Sequence, residues 1–376
     1  MGYYHYDGRN FTSLEGLFDY LNITPPAEPQ TGNVMTVSAY SLIVFVSLLG
    51  NVLVCKVSLE NPTTTNCLIA SLAISDLLVT VFNIPLNVAR LLLEEWPFGQ
   101  FLCFFVPFIQ VMAVYVSSFT MAVIAIHRWC SVTSRMAITS CSKRQLWITI
   151  VSTWTLSALM AIPLSMYNQT QPVFTYRWIT RCRVVYPQTS YDLPLLLTLE
   201  CFLTQYLIPL SLACIIYGKI AMVISRQGKI ANLRGSIEAK RRQRHKRRRI
   251  LMLVLVVAIF AICWLPLNIY HLLMDLHLAP HNYKIFIMCH WFAMSSVCYN
   301  PFIYCWLNKP FRKGAKLILS YLMCRCPPPV TDRLYNNNHT VEVDAITRQT
   351  LELNILTAIT PVDNNDNNDN NNIVSF

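Results

Sequence analysis

Residues 240–266 read KRRQRHKRRRILMLVLVVAIFAICWLP, a basic block followed directly by an apolar run. The block carries eight Lys and Arg residues in ten positions, whereas the positions from Ile250 to Met274 carry no Asp, Glu, Lys or Arg. An apolar segment of about 20 residues or more is long enough to cross the hydrocarbon core of a bilayer as a helix. Lys and Arg gather on the cytoplasmic flank of such helices. The stretch therefore predicts a transmembrane helix whose N-terminal end lies at the inner face of a membrane.

The chain contains six more apolar runs of this kind. Together they define seven predicted spans, numbered one to seven, at 36–57, 66–93, 101–131, 145–167, 193–224, 248–274 and 285–308. Only helices or closed barrels satisfy backbone hydrogen bonds in hydrocarbon, and the runs lack the alternation of barrel strands. The composition agrees, because 54% of the 376 residues are hydrophobic and only 13% are charged. We therefore expect an all-α membrane protein with a seven-helix bundle at 36–308, and prolines inside the spans predict kinked helices.

The distribution of Lys and Arg predicts how the bundle is oriented. The segment 219–249, between spans five and six, holds twelve of the 30 Lys and Arg residues, so we expect this loop to be cytoplasmic. Lys- and Arg-rich octamers also occur in nucleic-acid-binding proteins. Here the block directly precedes a span, where it would meet anionic lipid of the inner leaflet, so membrane lipid is the expected partner and nucleic acid is not.

The two ends of the chain differ in composition from the spans. Seven spans and a cytoplasmic 219–249 loop predict that residues 1–35 are extracellular and that the protein lies in the plasma membrane. The Asn-rich segment 327–376 is expected to be a disordered cytoplasmic tail. Glycosylation sequons begin at Asn10, Asn22 and Asn168, all on the predicted outer face. Residues 1–35 lack the apolar core of a cleavable signal peptide, so span one is expected to serve as the insertion signal.

Four of the fourteen cysteines carry a specific expectation. Cys103, at the outer end of span three, and Cys182, in the second outer loop, lie on the oxidising side, which favours a disulfide between them. Cys324 and Cys326 end a basic amphipathic stretch at 309–326, which predicts a short interfacial eighth helix with palmitoylated thiols. Unmodified surface cysteines are the alternative for this pair.

Polar residues inside the spans fall into an outer and an inner set, separated by Phe260 and Trp264. The outer set is Gln110, Gln205, His271, Asp275 and His290, and the inner set is Asn51, Asp76, Ser117, Arg128, Ser296 and Asn300. Polar residues at membrane depth are costly and are therefore candidate functional residues. Asp76 would be satisfied by a small cation, such as sodium, held with Ser117 and Asn300, or by a hydrogen-bond network between helices. The two-layer arrangement is typical of a signal relay.

Short motifs, one in nearly every span, carry a resemblance to a known family. They are Gly50-Asn51, Leu72-Ala73-Ile74-Ser75-Asp76, Trp154, Pro209 with Tyr217, Cys263-Trp264-Leu265-Pro266 and Asn300-Pro301-Phe302-Ile303-Tyr304. In this order they resemble the fingerprint of rhodopsin-like G-protein-coupled receptors.

Span seven lacks the internal lysine that a retinal pigment requires. No internal repeat suggests a transporter or channel, and no accessible nucleophile, metal cluster or phosphate loop suggests an enzyme.

The outer polar set resembles the pocket of receptors similar to those for neuropeptide Y, RYamide and luqin. Gln110, Gln205, Asp275 and His290 match positions where those receptors carry the same residues, whereas His271 replaces an expected asparagine. The resemblance implies an extracellular peptide ending in Arg-aromatic-amide, with Asp275 pairing with the arginine and the two glutamines holding the amide. The aromatic ring would approach Trp264. Tachykinin-type or other peptide receptors are the alternative.

The inner end of span three departs from the family pattern. It reads His127-Arg128-Trp129, whereas family members usually carry an acid before the arginine. The resemblance implies that Tyr217 and Tyr304 are the active-state partners of Arg128, near the Asn300-Pro301 motif. It also implies a heterotrimeric G protein as cytoplasmic partner, with arrestin as a second one. Loss of the acid predicts signalling without ligand, and a decoy receptor that does not couple is the alternative.

Overall fold

The computed structural model describes residues 4–6, 9–11, 30–60, 62–93, 95–133, 142–174, 178–233, 237–307, 311–314, 316 and 320. Apart from Ser320, all of these lie in one compact unit, Met1–Ile318. A second unit, Leu319–Phe376, contains the predicted tail 327–376. Asn22, Cys324, Cys326 and that tail lie outside the described residues.

The described residues form seven long helices, one for each predicted span. Span one is Gln30–Glu60, span three Gly99–Thr133, span four Lys143–Ser165, span six Ile237–Asp275 and span seven Tyr283–Leu307. Span two comprises Thr64–Leu78, Val79–Asn83 and Ile84–Leu92, and span five comprises Leu193–Cys201, Phe202–Leu207 and Ile208–Leu233. Spans one to six are long and apolar enough to cross a membrane by length and composition. The predicted seven-helix fold is confirmed.

Spans two and five are each interrupted by a π-helical turn. The turns, Val79–Asn83 and Phe202–Leu207, lie just before Pro85 and Pro209. Proline has no N–H to donate and its ring clashes with the preceding turn, so the backbone widens locally where a proline enters a helix. These turns change the faces that spans two and five present to the rest of the bundle.

The segment between spans five and six is mostly helical. Span five continues to Leu233 and span six begins at Ile237, so the basic block lies on a helix, which corrects the expectation of a loop over 219–249. Lys and Arg are good helix formers, and here most of them are exposed. The Gln243 side chain donates to the Ile224 carbonyl oxygen over 2.6 Å, which ties the two extensions together.

Spans one and seven pack closely at Gly50. A Cβ atom added to Gly50 would lie 2.6 Å from Pro301 Cγ, so only glycine fits at this position. Next to it, the Asn51 amide donates to the Val297 carbonyl oxygen over 3.0 Å. The Gly50-Asn51 and Asn300-Pro301 motifs therefore meet at one interface. Many large side chains point outward instead, among them Phe45, Leu159 and Ile215, as expected for helices that face lipid.

Four strands lie outside the spans in the part of the chain that the structure describes. Strands β1 (Tyr4–Tyr6) and β2 (Arg9–Phe11) form a short antiparallel pair near the N-terminus. Strands β3 (Asn168–Phe174) and β4 (Trp178–Val184) form a longer antiparallel pair between spans four and five. The predicted second outer loop is therefore a β-hairpin.

The predicted eighth helix is described only at its start. Residues 311–314 are helical, and the Phe311 ring is buried against Tyr304 with ring centroids 5.5 Å apart. A Cβ atom added to Gly314 would collide with the Val57 side chain of span one, so this turn packs tightly on the bundle. In the rest of 309–326 the structure describes Lys316 and Ser320, both of which are helical.

Candidate functional site

A cavity of about 590 Å³ opens at the end of the bundle that carries the β3–β4 hairpin. Spans two, six and seven and strand β4 supply its walls. The polar residues of the wall are Asn87, Arg90, Glu95, Arg181, Arg183, His271, His281 and His290. A cavity of this size is large enough for a few amino-acid side chains or a small ligand. We call it the outer cavity.

The hairpin is fixed over the cavity by covalent and polar contacts. Cys103 of span three and Cys182 of β4 form a disulfide, as predicted. Arg90 of span two donates from Nη2 to the Cys182 carbonyl oxygen over 2.9 Å. The Trp96 backbone N–H donates to the Thr180 carbonyl oxygen over 2.7 Å. Strand β4 is thus attached to both span three and the end of span two, so its side chains hold a defined position at the cavity.

Two of the six predicted ligand residues line the outer cavity. They are His271 and His290, and His290 is buried, with its Nδ1 atom 2.8 Å from the Tyr40 hydroxyl of span one. Gln110 lies next to the cavity, because its side-chain oxygen accepts from Asn83 over 2.8 Å and from Asn87, which is in the wall, over 3.2 Å. These contacts occupy the acceptor of Gln110 within the bundle.

The other three predicted ligand residues lie away from the outer cavity wall. Gln205 is buried and donates to the Val111 carbonyl oxygen over 3.0 Å. Trp264 lies deeper, where its indole donates to Ser296 Oγ over 3.2 Å. Asp275 accepts a 2.5 Å hydrogen bond from the Thr198 hydroxyl of span five. The structure thus divides the predicted set among the cavity, the bundle interior and the boundary between spans five and six.

An acidic region surrounds Asp275. Burial and the nearby Asp275 carboxylate raise the pKa of the Tyr186 phenol, which lies in the segment before span five. Asp192, which caps the start of span five, lies 3.7 Å from the His277 ring nitrogen beyond the end of span six. His271 is one helical turn before Asp275 and close enough to interact with its charge. His271 therefore connects this acidic region to the outer cavity.

The predicted inner polar site surrounds a small second cavity. Asp76, Ser117, Asn300 and Trp264 are among the residues that line this cavity of about 30 Å³. Asp76 is buried and accepts from the Asn300 amide over 3.0 Å, and Ser117 shares a 2.9 Å hydrogen bond with Ser75. The three predicted residues are therefore brought together. Their carboxylate, hydroxyl and amide oxygens are the hard ligands that suit a small hard cation, and the space matches about one water molecule.

The inner end of span three holds the His127-Arg128-Trp129 motif. Among the described residues, His127 Nδ1 and Arg128 Nε are buried without a hydrogen-bond partner. Arg249 repels the Arg128 guanidinium, and the Tyr217 phenol attracts it. Tyr217 and Tyr304, the predicted active-state partners, are both buried, and the Tyr304 hydroxyl also has no described partner.

One carboxylate inside span five is absent from the predicted polar sets. Glu200 accepts from the Tyr115 hydroxyl over 3.1 Å, and Tyr115 also lies 2.8 Å from the Thr204 hydroxyl oxygen. The second carboxylate oxygen of Glu200 is buried without a described partner. Its position within an apolar run is a signal that sequence reasoning could have used. Arg90, Arg181 and Arg183 were also missed, because basic residues near a loop usually indicate a solvated surface.

The three sequons differ in what the structure describes. Asn10 lies in strand β2, whereas Asn22 is outside the described residues. The Asn168 side chain is only 3% exposed, and its amide nitrogen donates to the Ser165 carbonyl oxygen over 3.1 Å. A glycan requires this nitrogen to be accessible, so the burial argues against the predicted modification at Asn168.

Comparison with known proteins identifies the family. Residues 50–304 match the model of the 7 transmembrane receptor (rhodopsin family). The chain is 30% identical to mouse neuropeptide Y receptor type 6, over 77% of this chain and 81% of that protein. It is 32% identical to rat neuropeptide Y receptor type 4, over 78% and 80%, and 33% identical to the Drosophila melanogaster RYamide receptor, over 73% and 61%. The protein is therefore a multi-pass membrane protein, and it belongs to the rhodopsin family of seven-transmembrane receptors.

Proposed function

We propose that this receptor binds an amidated neuropeptide on the outer side of the cell and activates a heterotrimeric G protein on the inner side. The observation that carries the proposal is the outer cavity, which lies between three spans and a disulfide-anchored hairpin. It is supported by the relatives, which include receptors named for neuropeptide Y and for RYamide. A peptide-sized ligand needs such an opening, because its side chains must reach polar groups within the bundle.

In this proposal the C-terminal Arg-aromatic-amide of the peptide binds between the outer cavity and the acidic region. Asp275 pairs with the ligand arginine, because it is a carboxylate close to His271 of the cavity wall. Gln110 and Gln205 contact the amide from deeper positions within the bundle. The aromatic ring points toward Trp264, and His290 contacts the peptide from span seven.

Signal transfer uses the buried polar groups below Trp264. Trp264 and Asp76 line the same small cavity, so movement of the indole changes the surroundings of the buried carboxylate. Arg128 then binds Tyr217 and Tyr304, and the inner end of the bundle opens to the G protein. A ligand favours this state only by binding it more tightly than the resting state. Arrestin would use the same inner surface, while anionic lipid would contact the basic extension of span six.

A sodium ion is the proposed occupant of the inner polar site, held by Asp76, Ser117 and Asn300. Such an ion supplies a positive charge that balances the buried carboxylate. Sodium chloride is expected to raise the thermal stability of the solubilised receptor above that measured in choline chloride. Asp76→Asn should remove this difference. A sodium effect of equal size in the variant would contradict the assignment.

The proposed orientation follows the basic residues. The extensions of spans five and six face the cytoplasm, and the N-terminus, with glycans at Asn10 and Asn22, is extracellular at the plasma membrane. Cys324 and Cys326, outside the described residues, are proposed palmitoylation sites.

A screen of amidated peptides tests the proposed function. Calcium and cAMP responses should be recorded in cells expressing the receptor, using peptides that end in Arg-Tyr-amide or Arg-Phe-amide and their free-acid forms. An amidated peptide should activate, while its free-acid form should be much weaker. Binding without any response would indicate a decoy receptor. If no amidated peptide binds a receptor that is present at the surface, the proposed ligand class is wrong.

A further inference from the structure

We propose that the outer cavity also binds an acidic side chain of the peptide, through Arg181 and Arg183 on strand β4 with Arg90 of span two beside them. This inference rests on the proposed peptide function and goes beyond it, because the Arg-aromatic-amide end contains no acid. The acidic residue must therefore lie on the N-terminal side of the ligand arginine.

The charge of the cavity wall is the first argument. The described wall contains three arginines and one carboxylate, that of Glu95. With the wall histidines counted as neutral, this leaves two positive charges in excess within about 590 Å³. A concave surface lined mainly by one sign of charge attracts ligands of the opposite sign. Arginine binds a carboxylate with two parallel hydrogen bonds, so the wall suits an Asp or Glu side chain better than it suits a neutral amide.

The rigidity of strand β4 is the second argument. Arg181 and Arg183 are the two neighbours of Cys182, whose sulfur is bonded to Cys103 and whose carbonyl oxygen accepts from Arg90. The strand is therefore anchored at the residue between the two arginines, and both line the cavity. Groups held in place before binding lose less conformational entropy when a ligand arrives. Arg183 is exposed and Arg181 is half-buried, so a ligand can reach at least one of them from outside.

A neighbouring region of opposite charge is the third argument. Asp275 and Asp192 lie at the end of span six and the start of span five, away from the outer cavity wall. His271, in the wall, is one turn from Asp275, so the basic and acidic regions adjoin. A peptide with an acid upstream of its arginine matches both regions in only one direction. The charges would therefore select the orientation of the peptide as well as its composition.

Competition binding with designed peptides tests this inference. The probes are N-acetylated peptides that end in Arg-Tyr-amide and carry a single Glu, Gln or Lys at one of the six preceding positions. Receptors are the wild type, Arg183→Gln, Arg181→Gln and Arg183→Glu, each measured at matched surface expression. Lys284→Gln is the control, since Lys284 is an exposed cation at the start of span seven and does not belong to the outer cavity wall.

At one position, the Glu peptide is expected to bind the wild type about tenfold or more tightly than the Gln peptide, as for a partly desolvated ion pair. The preference should shrink to about twofold or less in Arg183→Gln or Arg181→Gln, in line with loss of that pair. Arg183→Glu should prefer the Lys peptide, which a variant that merely misfolds would not do. Lys284→Gln should keep the wild-type preference.

Each contrary result has a distinct meaning. Equal binding of Glu, Gln and Lys peptides at all six positions would overturn this inference and leave the proposed function standing. If Lys284→Gln lost the preference for the Glu peptide to the same extent, the preference would arise from the overall positive charge of the receptor. That result would also overturn the inference. If free-acid peptides bound more tightly through Arg183, the cavity would recognise a terminal carboxylate instead. Failure of every amidated peptide to bind would overturn both proposals.

Discussion

Replacing His127 by aspartate should lower the activity of the receptor in the absence of ligand. In the wild type, Arg128 has a buried Nε atom without a described partner and is repelled by Arg249. Tyr217 is its attractive neighbour. An aspartate at position 127 would give the guanidinium an adjacent carboxylate and so a restraint in the resting state, while His127 offers only an imidazole.

The size of the effect follows from the burial of the two side chains. A hydrogen bond to a charged group contributes about 1.5 to 3 kcal/mol. His127 and Arg128 are only half-buried, and solvent screening reduces this to about 1 to 2 kcal/mol. Such a change shifts the equilibrium between resting and active states by about 5- to 30-fold, since 1.4 kcal/mol is tenfold. A receptor that is about 10% active at rest would thus fall to between about 0.4% and about 2% active.

Basal second-messenger output measures this change at matched surface expression. His127→Asn is the matched control, because it has nearly the size of aspartate without its charge, and it should remain close to the wild type. Equal basal output for the wild type and His127→Asp, or a higher output for the variant, would refute the reasoning. A wild type that binds peptide without any signal would instead indicate impaired coupling.

Three further substitutions test the pocket and the helix packing. Asp275→Ala should weaken binding of the best amidated peptide by about 2 to 5 kcal/mol, as when one partner of a desolvated ion pair is removed; competition binding measures this loss. Replacing Cys103 and Cys182 together by serine should abolish peptide binding or surface delivery, because β4 loses its attachment to span three. Gly50→Ala should lower the thermal stability of the solubilised receptor, since its new Cβ atom would lie 2.6 Å from Pro301 Cγ and overpacking costs about 1 to 3 kcal/mol.

Each of these substitutions has its own contrary result. Peptide affinity unchanged within about twofold in Asp275→Ala, with normal surface expression, would exclude a desolvated ion pair, because removing one partner of such a pair costs at least about 2 kcal/mol. Intact binding by the double serine variant would show that the disulfide is dispensable. Gly218→Ala is the control for Gly50→Ala, because nothing lies within 4 Å of its added Cβ atom. Equal stability changes in the two variants would contradict the packing argument.

The spans could be predicted closely because the cost of placing polar groups in lipid acts on each segment separately. Span three was expected at 101–131 and is Gly99–Thr133. The largest difference is at span six, whose helix begins at Ile237, within the predicted loop. Hydrophobicity determines where a helix enters the membrane, while helix propensity and the contact from Gln243 to Ile224 determine how far it continues into water.

The outer site could be predicted only in part. The polarity of His271 and His290 inside apolar spans marked them as candidates, and both line the cavity. Arg181 and Arg183 had no such signal, since strand β4 brings them to the cavity through tertiary contacts. The segment Asn168–Phe174 contains proline and four polar residues, so its pairing with β4 was not evident from local sequence.

Pro266 divides the long helix of span six into two parts of unequal length. At 1.5 Å per residue, about 44 Å of helix lies between Ile237 and Pro266, and about 14 Å lies between Pro266 and Asp275. If the helix tilts about its proline, where helices bend most readily, the basic end travels about three times as far as the end that carries Asp275. A contact that displaces the Asp275 end by about 1 Å would displace the basic end by about 3 Å. A small peptide that binds at one surface can thereby move a broad band of positive charge at the other.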